Sequence, residues 1–474
     1  MKAMNLLLAS GQAAIANILM GGTNDIDALV PELWAKESLY HLIENMVAPH
    51  LVSTNYKDEL AKYGQTVNID KPGTFEAEPK TIADSVTIQD ADSEQIAVKL
   101  NQLVHVSVLL KDGEENMAFK ELAEYHLPEM VKALARRIDR VVLGQYAQFL
   151  ANSFGHLGAM TSSNAKDYIL GVRNVMNKNL AHDVGRNLIW SPDGETAVLG
   201  TELFISAEKR GDGGEALRNA SMGRILGFQH YQCQNMAAIG DCDKTASVAL
   251  INMAGGAAKG TTSLVCDAGA AAIAAGSYIT IAGDDTPLRV VSTTGGATPT
   301  AIVVKSPGLR TAVADNAIIT KWGVGTSSAA YAAGYNKAIG YAGFTVEPQV
   351  GQMVTFGTDS TSAVYVVVRV DTTNNVIYLD RPLEAAVSSG GSLNYGPAGN
   401  YNFAFHKNAV TLVSRPLAAP RSGAGALSST QSWGGFAIRA TITYNGEKQG
   451  HLVTLDMLMG IKVLDEKLGA VVLG

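Results

Sequence analysis

The sequences Gly-Ser-Tyr-Ile-Thr-Ile at residues 276–281 and Gly-Gln-Met-Val-Thr-Phe at residues 351–356 decide how this chain is organised. Each opens a copy of one β-hairpin module, in which a glycine precedes a short apolar strand. The first copy turns at Asp284-Asp285 and the second near Asp359, and both then run through two more strands to a proline. Acidic residues favour such turns. The repeat therefore predicts an all-β unit set into a chain that is otherwise mixed.

Size and composition indicate a globular protein with several domains. The chain has 474 residues, enough for about three ordinary domains. Hydrophobic residues make up 47% and charged residues 17%, as in folded rather than disordered chains. The net charge is −7. It argues against a nucleic-acid-binding surface spread over the whole protein, because neutralising phosphates requires clustered Lys and Arg, although a small basic patch could still contact DNA.

The cysteines and the apolar runs indicate the cellular compartment of the protein and whether it spans a membrane. Cys233, Cys242 and Cys266 have neither the number of a disulfide framework nor the spacing of a metal site, so we expect buried thiols in a reducing compartment. The apolar run at residues 1–9 is short for a secretion signal. No run approaches the roughly 20 apolar residues of a membrane helix, so no membrane span is expected.

Two N-terminal segments look unable to fold by themselves. Residues 31–43 place apolar side chains at helical intervals, with Pro31 in the predicted first turn. Residues 65–70 and 96–108 alternate polar and apolar side chains around an acidic stretch, which predicts a long two-stranded excursion. Isolated ribbons are marginal in water. We expect both segments to pack on something else, with a second copy of the protein as the first candidate.

A long helical region follows the excursion. Residues 112–126 are good helix formers, and Leu127-Pro128 predicts a break or a fresh start. From there apolar residues recur close to the helical period. A basic edge runs along this helix, formed by Lys132, Arg136, Arg137 and Arg140. Two interpretations stay open: a solvated face with local ion pairs, such as those Asp139 could make, or a contact with packaged nucleic acid or a partner.

The next segment indicates a mixed core domain. Residues 165–179 form an amphipathic helix pattern with Tyr168, Ile169 and Val172 on its apolar side. They precede a buried-strand candidate at residues 187–190, Asn-Leu-Ile-Trp. A helix followed at once by a buried strand is typical of αβ units.

Motifs that would indicate an enzyme are missing from the sequence. The glycine-rich residues 211–214 lack the Lys-Ser or Lys-Thr that a nucleotide-binding loop needs. Asp241-Cys242-Asp243 lacks the rest of a calcium loop, and Asp284-Asp285 is explained by turn geometry. We therefore predict no enzyme activity and no cofactor, and we assign no catalytic, cofactor-binding or metal-binding residue.

The order of these parts resembles that of the major capsid (coat) proteins of tailed bacteriophages, which have the HK97-like fold. The likeness is greatest to the podovirus-type subfamily with an inserted β domain. Residues 64–69 and 102–108, which open and close the excursion, carry part of it. Residues 223–228, Gly-Arg-Ile-Leu-Gly-Phe, resemble the core segment before the insertion. Residues 405–413, followed by Arg415-Pro416-Leu417, resemble the segment where the core resumes and form the most specific motif.

The resemblance implies an α+β fold with a definite division of the chain. The expected parts are an N-terminal arm at 1–63, an extended β loop at 64–110, a peripheral domain with a long spine helix at 111–165, the first part of an axial core domain at 166–245, an inserted β domain with the duplicated module at 246–400, and the returning axial and peripheral core segment at 401–474.

The same resemblance implies a structural function. Hexamers and pentamers of the chain would self-assemble into the icosahedral shell that encloses double-stranded phage DNA. The implied partners are other copies of the chain, a separate scaffolding protein, a portal, a decoration protein and the packaged DNA, with no membrane. The implied location is the virion capsid, after assembly in the cytoplasm of the host bacterium.

Two alternatives stay open. One is the shell of an encapsulin-like protein nanocompartment of the same fold. The other is a secreted carbohydrate-binding or adhesive β protein that uses the repeats as binding modules. Such modules display aromatic platforms, whereas Tyr278, Phe356, Tyr365 and Tyr378 fall within strand runs and are predicted to be core residues.

Overall fold

A computed structural model of the chain describes residues 26–54, 64–71, 77–80, 82, 94–111, 119–206, 219–267, 271–296, 298–357, 363–420 and 426–474. The architecture is mixed α/β with many strands. The α-helices of these residues are α1 (Ile26–Asn45), α2 (Phe119–Leu143), α3 (Ala165–Lys178), α4 (Pro192–Leu199) and α5 (Glu202–Ile205). The predicted glycine-rich loop at 211–214, the turn near Asp359 and most of the acidic stretch of the excursion lie outside the described residues.

The strands fall into three groups along the chain. Those of the first group are β1 (Thr66–Lys71), β2 (Glu94–Lys99), β3 (Gln102–Lys111), β4 (Ser153–Gly155), β5 (Arg186–Trp190), β6 (Arg224–Ile225), β7 (Phe228–Gln232) and β8 (Ala238–Ile239). Those of the second are β9 (Lys244–Leu250), β10 (Ser263–Val265), β11 (Tyr278–Ile281), β12 (Leu288–Thr294), β13 (Ala301–Val304), β14 (Ile318–Trp322), β15 (Val324–Ser327), β16 (Ile339–Ala342), β17 (Met353–Phe356), β18 (Tyr365–Asp371), β19 (Val376–Leu379) and β20 (Ser392–Tyr395). Those of the third are β21 (Gly399–His406), β22 (Val410–Arg415), β23 (Ala426–Trp433), β24 (Phe436–Asn445), β25 (Gly450–Val463) and β26 (Gly469–Leu473).

Two sheets built from the first and third groups enclose the main core. One has the order β4-β26-β21-β5-β7-β6, with β8 also pairing with β21. The other has the order β22-β25-β24-β23, with β3 pairing with β25. Strand β5 is buried at all five residues because β21 and β7 flank it, and this confirms the buried strand predicted at residues 187–190.

Helix α2 is continuous, and the predicted break at Leu127-Pro128 is wrong. The helix runs from Phe119 to Leu143 with Pro128 inside it. A proline removes one intrahelical hydrogen bond. Here the buried apolar side, which includes Val131, Leu134 and Ile138, packs into the main core and holds the helix together across that position.

Helix α1 packs on its own chain. Trp34, Leu39 and Leu42 are buried, as the helical pattern predicted, and they belong to the same core as Phe436 of β24. We expected Pro31 in the first turn, but the helix begins earlier, at Ile26. A neighbouring subunit is therefore not needed to bury this helix.

The β excursion is shorter than predicted. Strands β1 and β2 pair from Thr66↔Lys99 to Lys71↔Glu94, as the alternation indicated. The return run does not stay in the ribbon, because β3 pairs along its whole length with β25 in the core sheet. The base of the ribbon is held by a small cluster in which Val98 and Leu100 contact Val413 and Leu458.

The predicted duplication is present and extends well beyond the hairpins. Strands β9–β14 form a six-stranded sheet of order β10-β13-β12-β11-β14-β9, and β15–β20 form a closed barrel of order β15-β16-β19-β18-β17-β20. Matching strands occupy matching places in the two orders. In the first unit the Ile251↔Cys266 bridge joins the end of β9 to the end of β10, so this unit also closes. We call the two units the first and second barrels.

Backbone hydrogen bonds show which residues are equivalent. The amide of Gly276 donates to the Val290 carbonyl at 2.9 Å, and that of Gly351 donates to the Val367 carbonyl at 2.7 Å. The register shifts by one residue next to Val290 and next to Val367, so both copies carry a β-bulge at the same place. Each barrel has a hydrophobic cluster of its own, so the two copies do not merge into one core.

The chain leaves and re-enters the core sheet at adjacent points. Strand β8, just before the barrels, pairs with β21, just after them, through Gly399↔Ile239 and Asn400↔Ala238. The two barrels therefore form a loop between neighbouring strands of one sheet.

Candidate functional site

The acidic motifs noted in the sequence have structural partners. Asp284 is completely buried, and its carboxylate accepts hydrogen bonds from the hydroxyls of Thr286 (2.7 Å) and Thr311 (2.8 Å) and from the amides of Arg310 and Thr311. Asp285 has a left-handed φ of 47°. These contacts fix the turn of the first barrel, in agreement with the geometric reading of the motif.

Asp241-Cys242-Asp243 holds the entry to the barrels. The Asp243 carboxylate accepts hydrogen bonds from the amides of Thr345 (2.7 Å) and Val346 (3.1 Å) in the second barrel. The Gln352 side chain donates to Cys242 Sγ at 3.1 Å. Across the residues that the structure describes, no group of three or more His, Cys, Asp and Glu side chains is arranged to hold a metal ion.

The basic edge of α2 is an anchor for the second barrel. Arg137 donates from Nη2 to the Leu379 carbonyl at 2.8 Å, and Arg140 donates from Nη1 to the Val368 carbonyl at 3.0 Å. Lys132 pairs with Glu129 on the helix surface. Burial lowers the pKa of both arginines. For Arg137 and Arg140, neither the solvated face nor the nucleic-acid contact is correct, because both guanidinium groups bind strand carbonyls of the same chain.

Asp139 joins three segments of the main core. Its carboxylate accepts hydrogen bonds from the amides of Val47 and Ala48, each at 3.2 Å, and from the Asn235 side chain at 3.4 Å. We considered Asp139 a partner for the basic edge, but it is only 1% exposed and is linked to that edge through Asn235, whose Oδ1 accepts a hydrogen bond from Arg140 Nε at 3.2 Å. Burial raises the pKa of Asp139 to about 6, an effect that the three donors partly oppose.

Apolar side chains are exposed on α1 and on the core sheet. Leu33 and Tyr40 lie seven positions apart on α1 and are 47% and 51% exposed, a spacing that puts them on one helix face. Trp433, at the β23–β24 turn, is 66% exposed, and Leu103 on β3 is 44% exposed. Strands β3 and β23 are also edges of their sheet among the described strands. Unpaired edges and exposed aromatic groups are typical of surfaces that associate.

The membrane and thiol predictions can be compared with the structure. Within the described part of the chain, no helix is long and apolar enough to cross a membrane. All three cysteines are free and buried, as predicted, and burial raises the pKa of each thiol to about 11.

No protein-family model and no curated protein matches the chain. Solved structures do match. One, titled Mycobacterium phage Che8, has 11% identity and a TM-score of 0.39 and covers 90% of each chain. The capsid structure of cyanophage P-SCSP1u has 10% identity and a TM-score of 0.39, covering 89% of this chain and 90% of its own. The mature capsid of bacteriophage PhiM1 has 9% identity and a TM-score of 0.38, covering 89% of each.

Proposed function

We propose that this chain is a major capsid protein that self-assembles into an icosahedral shell around double-stranded phage DNA. The observation that supports this best is the way the core is interrupted. Residues 223–228, which carry part of the resemblance to coat proteins, hold β6 and the first residue of β7, and residues 405–413 hold the end of β21 and the start of β22. Strands β7 and β21 belong to one sheet, with β5 between them. All twelve strands of the two barrels lie between these segments in the sequence. A core domain with a β insertion has this organisation.

The exposed features of the core sheet give the assembly surfaces. Strand edges β3 and β23 offer backbone donors and acceptors, and Trp433 and Leu103 offer apolar area beside them. In a closed symmetric assembly every copy repeats the same contacts, so many modest interfaces add up to a stable shell. The β1–β2 ribbon pairs with no other strand of the described chain, which makes it a candidate to contact a neighbouring copy.

The proposed division of labour follows the chain. Residues 1–63 act as the arm, 64–110 as the extended loop, 111–165 as the peripheral domain, 166–245 and 401–474 as the axial and peripheral core, and 246–400 as the insertion. Hexamers and pentamers would build the shell with the help of a separate scaffolding protein, a portal and a decoration protein.

Electron microscopy combined with analytical sedimentation tests this proposal. The full chain is purified alone and after co-expression with its scaffolding protein. We expect closed shells of uniform size in the co-expressed sample. A chain that stays monomeric at high concentration in both samples contradicts the capsid function. Uniform closed shells from the chain alone would contradict the separate scaffolding protein but not the capsid.

A variant of the exposed Trp433 tests whether this residue lies in an interface between copies of the chain. Trp433→Ser removes an exposed aromatic group without opening the core, so its circular dichroism should match the wild type while the yield of shells falls. Val291→Ser, at a 53% exposed position on the first barrel, is the matched control and should assemble normally. Equal yields of shells for the two variants would remove Trp433 from the interface.

The adhesive alternative is disfavoured by burial. Tyr278, Phe356 and Tyr365 are at most 3% exposed, so they cannot form a platform for a sugar ring. Tyr378, also predicted to be a core residue, is only half-buried, and the Arg369 guanidinium lies over its ring. The nanocompartment alternative predicts the same closed shells, but filled with a cargo protein instead of DNA. Nuclease-protected DNA inside particles recovered from infected cells would support the capsid function over the nanocompartment.

A further inference from the structure

The turn between β24 and β25 contains the only Asn-Gly sequence of the chain, Asn445-Gly446. Strand β24 ends at Asn445 and β25 begins at Gly450, so residues 446–449 form the turn. An asparagine side chain can cyclise when the amide nitrogen of the next residue attacks its Cγ carbon. Glycine favours this reaction because it has no Cβ in the way and allows many backbone conformations. The turn therefore holds the residue pair at which ring closure meets the least steric resistance.

The turn lies open to solvent. Gly446 and the three residues that follow it are exposed, and Asn445 is half-buried. A Cβ built on Gly446 would meet no heavy atom within 4 Å. Water therefore reaches the turn, and the backbone has room for the change of conformation that ring closure requires.

The Gly446 amide is available as the nucleophile. It donates a hydrogen bond to no residue that the structure describes. Three other asparagines that precede a small residue differ in this respect, because the amide that follows each of them donates to a backbone carbonyl. These donors are Ala165 to Thr161, Ala317 to Ala314 and Ala409 to His406. At Gly446 the attacking nitrogen forms without breaking such a bond.

The side-chain oxygen of Asn445 is held by two donors. Its Oδ1 accepts hydrogen bonds from the amides of Glu447 at 3.0 Å and Lys448 at 3.1 Å. Attack on the Cγ carbon moves negative charge onto this same oxygen. Amide donors that are already fixed beside a developing oxyanion stabilise it more than they stabilise the neutral carbonyl. The turn thus has a small preorganised oxyanion site at the atom where the reaction places its charge.

The Asp193-Gly194 pair provides an internal comparison, because an aspartate followed by glycine can form the same ring. This pair lies in the first turn of α4, where Gly194 is buried. The Gly194 amide donates to Ser191 Oγ at 3.1 Å, and a Cβ at Gly194 would meet the Asn402 side chain at 2.8 Å. The pair is therefore held in a packed helix and should stay unchanged.

We propose that Asn445 deamidates spontaneously in the native protein, with Gly446 as the nucleophile and the amides of Glu447 and Lys448 as oxyanion donors. The Gly446 nitrogen gives its proton to hydroxide and forms a bond to Asn445 Cγ. The bond from Cγ to Nδ2 then breaks, and the nitrogen takes a proton from water and leaves as ammonia. Water opens the resulting succinimide at either carbonyl, which leaves an aspartate or an isoaspartate.

The reaction changes the hairpin in charge and in backbone geometry. Either product adds a negative charge beside Tyr444, which is 53% exposed. The isoaspartate also inserts a methylene into the backbone, which disturbs the pairing of Asn445 with Gly450. The fraction of converted chains therefore rises with the age of the protein. The site does not depend on the proposed assembly.

Peptide mapping of the aged full chain tests the proposal. The protein is incubated in heavy-oxygen water at mildly alkaline or mildly acidic pH and is then cleaved in ordinary water with trypsin, which releases residues 440–448 as a single peptide. We expect this peptide to gain labelled oxygen at position 445, faster at alkaline pH, and to elute as separate aspartate and isoaspartate forms. The peptide that contains Asp193-Gly194 should show no isoaspartate.

The same measurement on the chain unfolded in guanidinium shows what the fold contributes. We expect the native chain to convert at least as fast as the unfolded chain, in which the two amide donors are no longer fixed beside Oδ1. A native chain that stays unconverted while the unfolded chain converts overturns the proposal, because the fold then protects the pair. Conversion that is slower in the native chain contradicts the role given to the donors.

Substitutions in the turn test the role of Gly446 as the nucleophile. Gly446 has no positive φ and open space around it, so Gly446→Ala should fold normally. The added Cβ hinders the attack and should slow conversion about tenfold, since each factor of ten in rate is a small change in the barrier. Glu447→Ala keeps both amide donors, is the matched control and should convert like the wild type. Equal rates for Gly446→Ala and the wild type contradict attack by the Gly446 nitrogen.

Discussion

Replacing Asp139 with Asn should remove a specific pH dependence from the stability of the main core. The Asp139 carboxylate is buried between α2, the turn at Val47-Ala48 and Asn235, and its pKa is raised from 3.8 to about 6. In the unfolded chain the group ionises at its ordinary value. Folding therefore favours the protonated form of Asp139. Its contribution to the free energy of unfolding is fully present below about pH 3 and is lost as pH rises from there through about 6.

The size of the effect follows from the two pKa values. The interval from 3.8 to about 6 corresponds to about 3 kcal/mol, since one pH unit between folded and unfolded pKa is worth about 1.36 kcal/mol. Asn carries no charge at any pH. The free energy of unfolding of the wild type, minus that of Asp139→Asn, should therefore fall by about 3 kcal/mol over the whole transition, of which about 2.4 kcal/mol falls between pH 4 and pH 7.

Hydrogen exchange as a function of urea concentration is the suitable assay. A chain with several hydrophobic clusters need not unfold in one step, so the local free energy of opening is read at the amides of Val47 and Ala48, which donate to Asp139. Asp167→Asn, at an exposed carboxylate on α3, is the matched control and should follow the wild type. Parallel pH profiles for the wild type and Asp139→Asn, within about 0.5 kcal/mol, would refute the reasoning.

Three further predictions concern the anchor, the backbone and the thiols. Arg137→Met removes a hydrogen bond to the buried Leu379 carbonyl, so hydrogen exchange in β19 should accelerate, with the local free energy of opening lower by about 1–3 kcal/mol. Arg136→Met, at an exposed position of the same helix, should leave exchange in β19 unchanged. Gly155→Ala places a Cβ 2.4 Å from the Leu473 carbonyl oxygen and should lower the melting temperature by several degrees. Gly158→Ala is also at positive φ but has no atom within 4 Å, so it should lower the free energy of unfolding by only about 1 kcal/mol, with a correspondingly smaller drop in melting temperature. A thiol reagent should label the native protein hardly at all and should react after unfolding at three positions, Cys233, Cys242 and Cys266.

Periodicity predicted the regular parts of the core. The pattern at residues 165–179 gave the helix Ala165–Lys178, with Tyr168, Ile169 and Val172 buried. The strand predicted at residues 187–190 is buried throughout because strands flank it on both sides. These predictions succeed because the side of a helix or strand that is buried repeats at a fixed spacing among residues close together in the sequence.

The failures have a different physical origin. Pro128 predicts a break from local chemistry, but the continuous helix is stabilised by the tertiary packing of Val131, Leu134 and Ile138. The basic edge suggested solvent or nucleic acid, whereas Arg137 and Arg140 bind carbonyls more than 200 positions away along the chain. No spacing in the sequence reports such long-range partners.

The duplication supplies an internal comparison that a single sequence otherwise lacks. Features that both barrels share, such as the left-handed Gly276 and Gly351 and the matching bulges, are what the barrel needs in order to close. Features that differ are not required by the fold. Lys305 and Asp380 occupy equivalent positions with opposite charge. Lys305 is exposed, whereas Asp380 is buried and accepts hydrogen bonds from its own barrel and from Gln145 in the 3₁₀ turn Gly144–Gln148. The barrel fold therefore accepts a solvated cation at this position in one copy and a buried carboxylate in the other.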